Sequence, residues 1–252
     1  MLIKRGSWVL LYFKENRFYL ARAGEGKLNT NEGIIDLDSL VNKSYGIKGK
    51  THLGLEYIVS KPDLITLFKI FKRKTQVVYP KDIGTIVLLA DICPGSLVVE
   101  AGTGSGFLTA ILANFVKPSG KVFTYEVRRE FQEVAIKNLT MVGLERYVEF
   151  KLKDIRKGID EKEVDAVILD MPDPWNVADI AFSSLRSGGK IVCFLPTINQ
   201  VERVVETLKE RGFIMIEVRE ILERTYKVKR GETRPEVFMI GHTGYIVSGG
   251  KP

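Results

Sequence analysis

The spacing of apolar positions along the chain changes near residue 60. Before that point, short runs rich in aromatic and aliphatic residues at 7–13 and 17–21 read as strands, with Glu15 and Asn16 as the turn between them. The glycine-punctuated stretch 23–55 suits a small barrel or sandwich. Pro62 and Asp63 then open a helix through about Phe71, with the proline near its first turn. Beyond it, helical patterns at 82–92, 107–115, 129–142, 176–185 and 197–211 alternate with apolar runs at 97–101, 122–125, 148–152, 164–169 and 190–195. Such alternation implies a parallel sheet with helices on both faces. Two late strands, 213–222 and 236–245, have no helix between them and are expected to pair antiparallel. No internal repeat or long linker interrupts the pattern. The predicted organisation is a small β-rich domain over 1–60, a helical connector over 61–78 and an α/β domain over 79–252, with the boundary between about Tyr57 and Tyr79.

Composition narrows the class. With 45% hydrophobic and 27% charged residues in 252, the chain is an ordinary globular one, not a disordered segment. The richest apolar run, 83–92, is short and interrupted by Asp91, which excludes a transmembrane helix, and residues 1–10 lack a secretory signal pattern. Two cysteines, Cys93 and Cys193, make no disulfide framework; both are expected to be buried and inert, and a reducing cytoplasm is the expected compartment. Lys plus Arg exceeds Asp plus Glu by 38 − 31 = 7. That excess suits a polyanionic partner such as nucleic acid, and equally an ordinary basic protein.

The first segment that carries chemistry is 97–107, LVVEAGTGSGF, a buried strand running into a glycine turn and then a helix. Glycines there allow a tight turn and close approach of a ligand, and carboxyl-end turns are where open α/β sheets bind ligands. A dinucleotide fingerprint would place its third glycine at position 107, which is Phe, so nicotinamide binding is disfavoured. The E-x-G-x-G-x-G form resembles motif I of S-adenosylmethionine-dependent methyltransferases. Glu126, at the end of the next strand, can accept from both ribose hydroxyls of a nucleoside, and Asp154, past the third strand, from an adenine amino group. Each acid can also be read as an exposed strand-end carboxylate.

The fourth strand ends in Asp170-Met171-Pro172-Asp173-Pro174-Trp175. Two prolines stiffen this turn, and the indole offers a flat face to a base or a packing surface to a neighbour; both readings of Trp175 stay open. The loop is similar to the Asp-Pro-Pro-aromatic loops of amino-methylating enzymes. Methylation of ring N1 leaves adenine cationic, and a fixed Asp170 carboxylate accepting from the N6 amino group would stabilise that charge. A helix N-cap is the plainer role for the same residue.

Four segments together, TQVVYPKD (75–82), EAGTGSG (100–106), DMPDPW (170–175) and RPEVFMIGHTGY (234–245), resemble the tRNA (adenine-N1)-methyltransferases. The resemblance spans nearly the whole chain and implies a Rossmann-like class I methyltransferase sheet behind a small amino-terminal β domain. It implies methylation of adenosine 58 in the tRNA T-loop, with adenosine 57 an added target in archaeal members. The cofactor would be S-adenosylmethionine and the partner tRNA; the assembly would be a homotetramer. By the same resemblance, Gly102, Thr103, Gly104, Ser105, Gly106, Phe107, Glu126, Asp154 and Asp170 bind cofactor, Val78 lies against it, and Asp170 and Tyr79 are also catalytic at the base. The chain departs from many relatives at 248–252, SGGKP, where they carry a basic pair.

Arg224, Lys227, Lys229, Arg230 and Arg234 fall in one loop between the late strands, where they suit RNA phosphates or plain solvent. Lys69, Lys72, Arg73 and Lys74 form a second cluster that reads as a solvated helix end. His242 is expected in a strand with a packing role, and His52 has no evident partner. No His, Cys or Asp cluster has metal-ligand spacing, so no metal is expected. A protein isoaspartate methyltransferase would share the glycine turn but not DMPDPW or the basic loop. A non-catalytic tRNA-binding subunit would not need Asp170 and the glycines. Cofactor titration separates it from an enzyme.

Overall fold

The computed structural model describes residues 1–14 and 17–252, so the turn expected at Glu15 and Asn16 lies outside the described residues. The chain forms two units, Met1–Phe71 and Lys72–Pro252. In the first, Trp8–Tyr12 (β1), Phe18–Arg22 (β2), Lys27–Thr30 (β3), Gly33–Asp36 (β4), Lys48–Lys50 (β5) and Glu56–Ser60 (β6) make an antiparallel sheet ordered β2-β1-β6-β5 and a separate β3–β4 hairpin. Alternation places Val9, Leu11 and Val59 inward, where they join Ile3, Phe13, Ile35 and Tyr57 in one core. The helical stretch after Pro62 is a single turn, Leu64–Leu67 (α1), continued as a 3₁₀ turn to Ile70. Its N-cap is Asp63, whose carboxylate accepts from the Thr66 amide at 2.7 Å, so Pro62 lies outside the helix and not in its first turn.

The second unit is the α/β layer that the strand–helix alternation predicts. Its helices are Pro80–Leu89 (α2), Phe107–Val116 (α3), Arg129–Val142 (α4), Ala178–Ser184 (α5) and Ile198–Glu210 (α6). Its main strands are Leu97–Ala101 (β7), Lys121–Glu126 (β8), Val148–Leu152 (β9), Val164–Leu169 (β10), Leu185–Leu195 (β11) and Ile214–Glu220 (β12). A small hairpin, Tyr226–Lys227 (β13) with Arg234–Pro235 (β14), precedes the last strand, Tyr245–Gly250 (β15). The sheet order is β12-β15-β11-β10-β7-β8-β9, parallel except where β15 runs against both neighbours. Chain order reverses between β7 and β10, and ligands of open α/β sheets bind outside the strand ends at such a reversal. Leu169 pairs with Ala101 there, and the Asp170 amide donates to the Ala101 carbonyl at 2.9 Å. The turn after β7 and the loop after β10 therefore start side by side.

Two expectations need correction. The second late strand is not 236–245 but 245–250. It pairs antiparallel with β12 as expected, Glu220 opposite Tyr245, yet also fills the slot beside β11. The run 237–240 has equal strand-forming character but gains no partner strand, and Val237 and Phe238 stand exposed. Cys93 is exposed, in the turn after α2, whereas Cys193 is buried in β11, which pushes its thiol up to about 12. Among the described residues no helix is long and apolar enough to cross a membrane.

Candidate active site

Close packing at the chain reversal explains the glycines. Gly102 has φ +94°, and a Cβ there would lie 1.9 Å from the Asp170 carbonyl oxygen, so only a residue without a side chain lets the two strand ends meet. Gly104, also at positive φ, turns its amide onto Glu126 Oε2 at 3.1 Å. The other Glu126 oxygen accepts from the Val127 and Arg128 amides at 3.0 and 3.1 Å. Three backbone donors thus fix this carboxylate, which is 5% exposed, at the end of β8. Gly106 caps α3 against Leu139 and Ala135 of α4, and Phe107 is buried under the Arg73 guanidinium.

The hydroxyls of the turn face inward. Thr103 and Thr124 share a 2.7 Å hydrogen bond, and Ser105 Oγ accepts from the Lys74 amide. Asn138 of α4 donates to the carbonyls of Ser105 and Lys72, both at 2.9 Å, and accepts from the Lys72 amide. These bonds lash the backbone of 72–75 to the glycine turn, while the Lys72, Arg73 and Lys74 side chains stay exposed just after the 3₁₀ turn that carries Lys69, as a solvated helix end would. Nothing in the sequence pattern singles out Asn138, a buried amide in mid-helix.

Asp154 caps the short 3₁₀ turn Ile155–Lys157. Both its oxygens accept from the Arg156 guanidinium, which holds the carboxyl below the usual range, and Arg156 also reaches Asp173 at 2.9 Å. Arg156 therefore joins the predicted adenine acid to the loop after β10, a link invisible in the sequence.

Three cavities open along the strand ends. The largest, about 580 Å³, is lined by Gly102, Glu126, Asp154 and Asp170. A second of about 190 Å³ touches Val78, Gly104, Phe107 and Asp170, and a third of about 180 Å³ lies among Tyr79, Asp170, Phe194, Ile240 and His242. Asp170 borders all three. It is half-buried, and loss of water around it pushes its carboxyl up to about 6. Behind it, Glu100 on β7 is fully buried; Thr109 donates to one oxygen at 2.7 Å, while the other has no hydrogen-bond partner. Burial pushes the Glu100 carboxyl up to about 8.

Other expected residues fall elsewhere. Trp175 lines none of these cavities: the 3₁₀ turn Pro174–Val177 packs the indole against the sheet core, with the Arg203 guanidinium 4.2 Å from its ring centroid. The indole is half-buried, so one part of it packs on the core while the rest stays open. Arg224, Lys227, Arg230 and Arg234 are exposed on the excursion 221–244 and line none of the three cavities; Lys227 pairs with Arg234 across β13 and β14. His242 is not in a strand. It is exposed, and its ring bonds Glu220 at 2.7 Å and the Pro196 carbonyl at 3.0 Å. His52 Nδ1 accepts from the Ile34 amide in the first unit. Ile240 and Thr243, inside the motif at 234–245, and Phe194 of β11 also border the third cavity, and nothing in the sequence pattern singled out any of the three.

The lining fits a bound nucleoside with a sulfonium arm: a fixed acceptor at Glu126, an acid at Asp154, and a glycine turn whose Thr103 and Ser105 hydroxyls are bonded within the protein. A family model described as tRNA methyltransferase complex GCD14 subunit matches residues 54–247. The chain is similar to the tRNA (adenine(57)-N(1)/adenine(58)-N(1))-methyltransferase TrmI of Methanocaldococcus jannaschii, at 40% identity over 95% of this chain and 93% of that one. TrmI of Thermus thermophilus, named for adenine 58, is 33% identical over 95% of each. Among solved structures, a SAM-dependent O-methyltransferase from Thermotoga maritima superposes with TM-score 0.89 and 42% identity over 98% of this chain and 94% of that one. TrmI from Aquifex aeolicus gives 0.83 and 33%, covering 100% and 99%.

Proposed function

The chain belongs to the tRNA (adenine-N1)-methyltransferase family, and from that membership we propose that it forms 1-methyladenosine at position 58 of tRNA. The observation that carries the reading is Asp170, a single carboxylate bordering both the nucleoside-sized cavity and the smaller one beside Tyr79. S-adenosylmethionine, when bound, supplies an electrophilic methyl group. Glu126 holds the ribose hydroxyls and Asp154 the adenine edge, with Val78, Gly102 through Gly106 and Phe107 shaping the remaining wall.

Asp170, as the carboxylate, accepts from the N6 amino group of the target base and so aims N1 at the methyl. Positive charge arises on the base as N1 is alkylated, and a fixed anion in a poorly hydrated pocket stabilises it. Tyr79, which borders the same small cavity, bounds the base. Catalysis is positioning plus charge stabilisation, with no covalent intermediate on the protein. Arg224, Lys227, Arg230 and Arg234 would meet RNA phosphates outside the cleft.

A homotetramer is part of the proposal. The edge strand β12 leaves Ile214, Met215 and Val218 exposed, and Leu88 on α2, which borders the same shallow cavity as Met215, is 82% exposed. Apolar groups on an unpaired edge call for a covering surface. Light scattering reads the mass directly.

The test is methylation of an unmodified tRNA transcript, with digestion and mass spectrometry of the nucleosides. Wild type is expected to yield 1-methyladenosine and Asp170→Ala to lose it while still binding cofactor. Mapping the product reads position 57 as well as 58. Cofactor binding without methylated adenosine overturns the substrate, and no cofactor binding overturns the enzyme.

A further inference from the structure

Two of the sequence segments that mark the family meet at a place the chemistry above does not use. Lys81 and Asp82 lie in the first turn of α2, directly after Tyr79 and Pro80, and Thr243 lies 161 residues after Asp82. The Lys81 ammonium donates three hydrogen bonds, to Asp82 Oδ1 at 2.8 Å, the Ile221 carbonyl at 2.8 Å and Thr243 Oγ1 at 2.6 Å. Thr243 in turn donates to Asp82 Oδ2 at 2.7 Å. The Lys81 side chain is 8% exposed and that of Asp82 0%. Every ammonium proton is used and each carboxylate oxygen accepts once, so this buried pair is satisfied where a partial set would be costly.

The position of the knot gives it meaning. Ile221 and Thr243 are the two feet of the excursion 221–244, which leaves the sheet after β12 and returns at β15. The knot therefore pins both feet to the helix turn that begins at Tyr79, whose carbonyl accepts from the Asp82 and Ile83 amides at 2.9 Å. Tyr79, Ile240, His242 and Thr243 border the same cavity of about 180 Å³ as Asp170. None of the knot's hydrogen bonds involves Glu126, Asp154 or the glycine turn.

We propose that Thr243, through the buried Lys81–Asp82 pair, is a positioning residue that sets the base-facing wall of the cleft relative to Tyr79 and Asp170. This rests on the methyl-transfer reading above. Small displacements of a reacting group lose rate steeply, about 10²-fold for 1 Å, so the knot acts on turnover and not on cofactor affinity.

The experiment compares wild type, Thr243→Val, Thr243→Ser and Asp82→Asn on an unmodified tRNA transcript, below each variant's unfolding temperature, with the cofactor dissociation constant measured separately. Thr243→Val keeps the shape and removes the hydroxyl; kcat is expected to fall at least about 10-fold with cofactor affinity within about 2-fold. Thr243→Ser, which keeps the hydroxyl, is expected to return kcat to within about 3-fold of wild type. Asp82→Asn repeats the test if the valine variant does not fold, with an intermediate loss of kcat. The proposal is overturned if kcat is unchanged, if serine fails where valine fails, or if cofactor affinity falls in step with kcat. Wild type that makes no 1-methyladenosine sinks the underlying reading and the proposal with it, an outcome distinct from a wild type that works and variants that match it.

Discussion

The two walls of the cleft are made differently. The sheet-side wall, from Gly102 to Asp170, is built from backbone amides, bare glycine Cα atoms and carboxyls out of water, Glu126 held by three N–H groups and Glu100 fully buried. The excursion 221–244 is mostly exposed, carries the basic side chains, and is held by hydrogen bonds at its feet. A cofactor of one fixed shape suits the first kind of wall. A large RNA, whose phosphates attract at a distance and dock with salt-dependent strength, suits the second.

Substitutions on the first wall are expected to act most strongly. Gly102→Ala places a methyl group on the Asp170 carbonyl at a positive φ. We expect a loss of about 4 kcal/mol or more, seen as a collapse of the denaturation midpoint or of cofactor binding. A mild effect would mean that the two strand ends are not locked together. Asp170→Ala comes next, with a loss in kcat of about 10² to 10³-fold and cofactor binding retained. Because the carboxylate is the working form and its pKa in the free protein lies near 6, wild-type kcat/KM should fall as pH drops through 6 and level off above it.

Glu100 tests the same wall through stability. Its folded-state pKa, about 8, lies above the ordinary value of 4.5, so between those limits the folded protein holds a proton that the unfolded chain releases. Its contribution is thus fully present below about pH 4.5 and is lost as pH rises through 8. Glu100→Gln removes the titration, and the stability difference between pH 5 and pH 8 should shrink by about 2 to 4 kcal/mol in denaturant melts. An unchanged slope would place the pH dependence elsewhere.

The excursion should respond least. Removing Arg224, Lys227, Arg230 and Arg234 together is expected to leave the melting temperature within about 1 °C and to raise KM for tRNA about 10-fold, with the salt slope reduced by about one unit for each phosphate no longer neutralised. If stability falls instead, the contrast between the walls fails.

Much of this was readable from residues alone, for a physical reason. Strands β7, β9 and β10 and helix α4 begin and end where the apolar pattern places them, because the central strands β7 and β10 need near-continuous apolar runs, the edge strand β9 alternates, and α4 needs one apolar face. The strand β15 escaped because Ser248, Gly249 and Gly250 have poor strand propensity, and only pairing on both sides makes them one. The strand-end positions of Glu126, Asp154 and Asp170 were legible, and the structure brings the three to one cavity. The seating of the Trp175 indole beside Arg203, 28 residues away, was not legible, because it depends on a distant side chain. Asn138, Thr243 and the link from Arg156 to Asp173 depend on partners that no local spacing encodes.

The pinned feet of the excursion have a consequence for descent. Closing a flexible loop grows more unfavourable only logarithmically, about 0.6 kcal/mol for each doubling in length. With Ile221 and Thr243 fixed by Lys81 and Asp82, the residues between can be lengthened, shortened or recharged while the sheet keeps its register. The fold thereby separates the part that lineages can rewrite for a different RNA from the part that must stay as it is to hold a methyl donor.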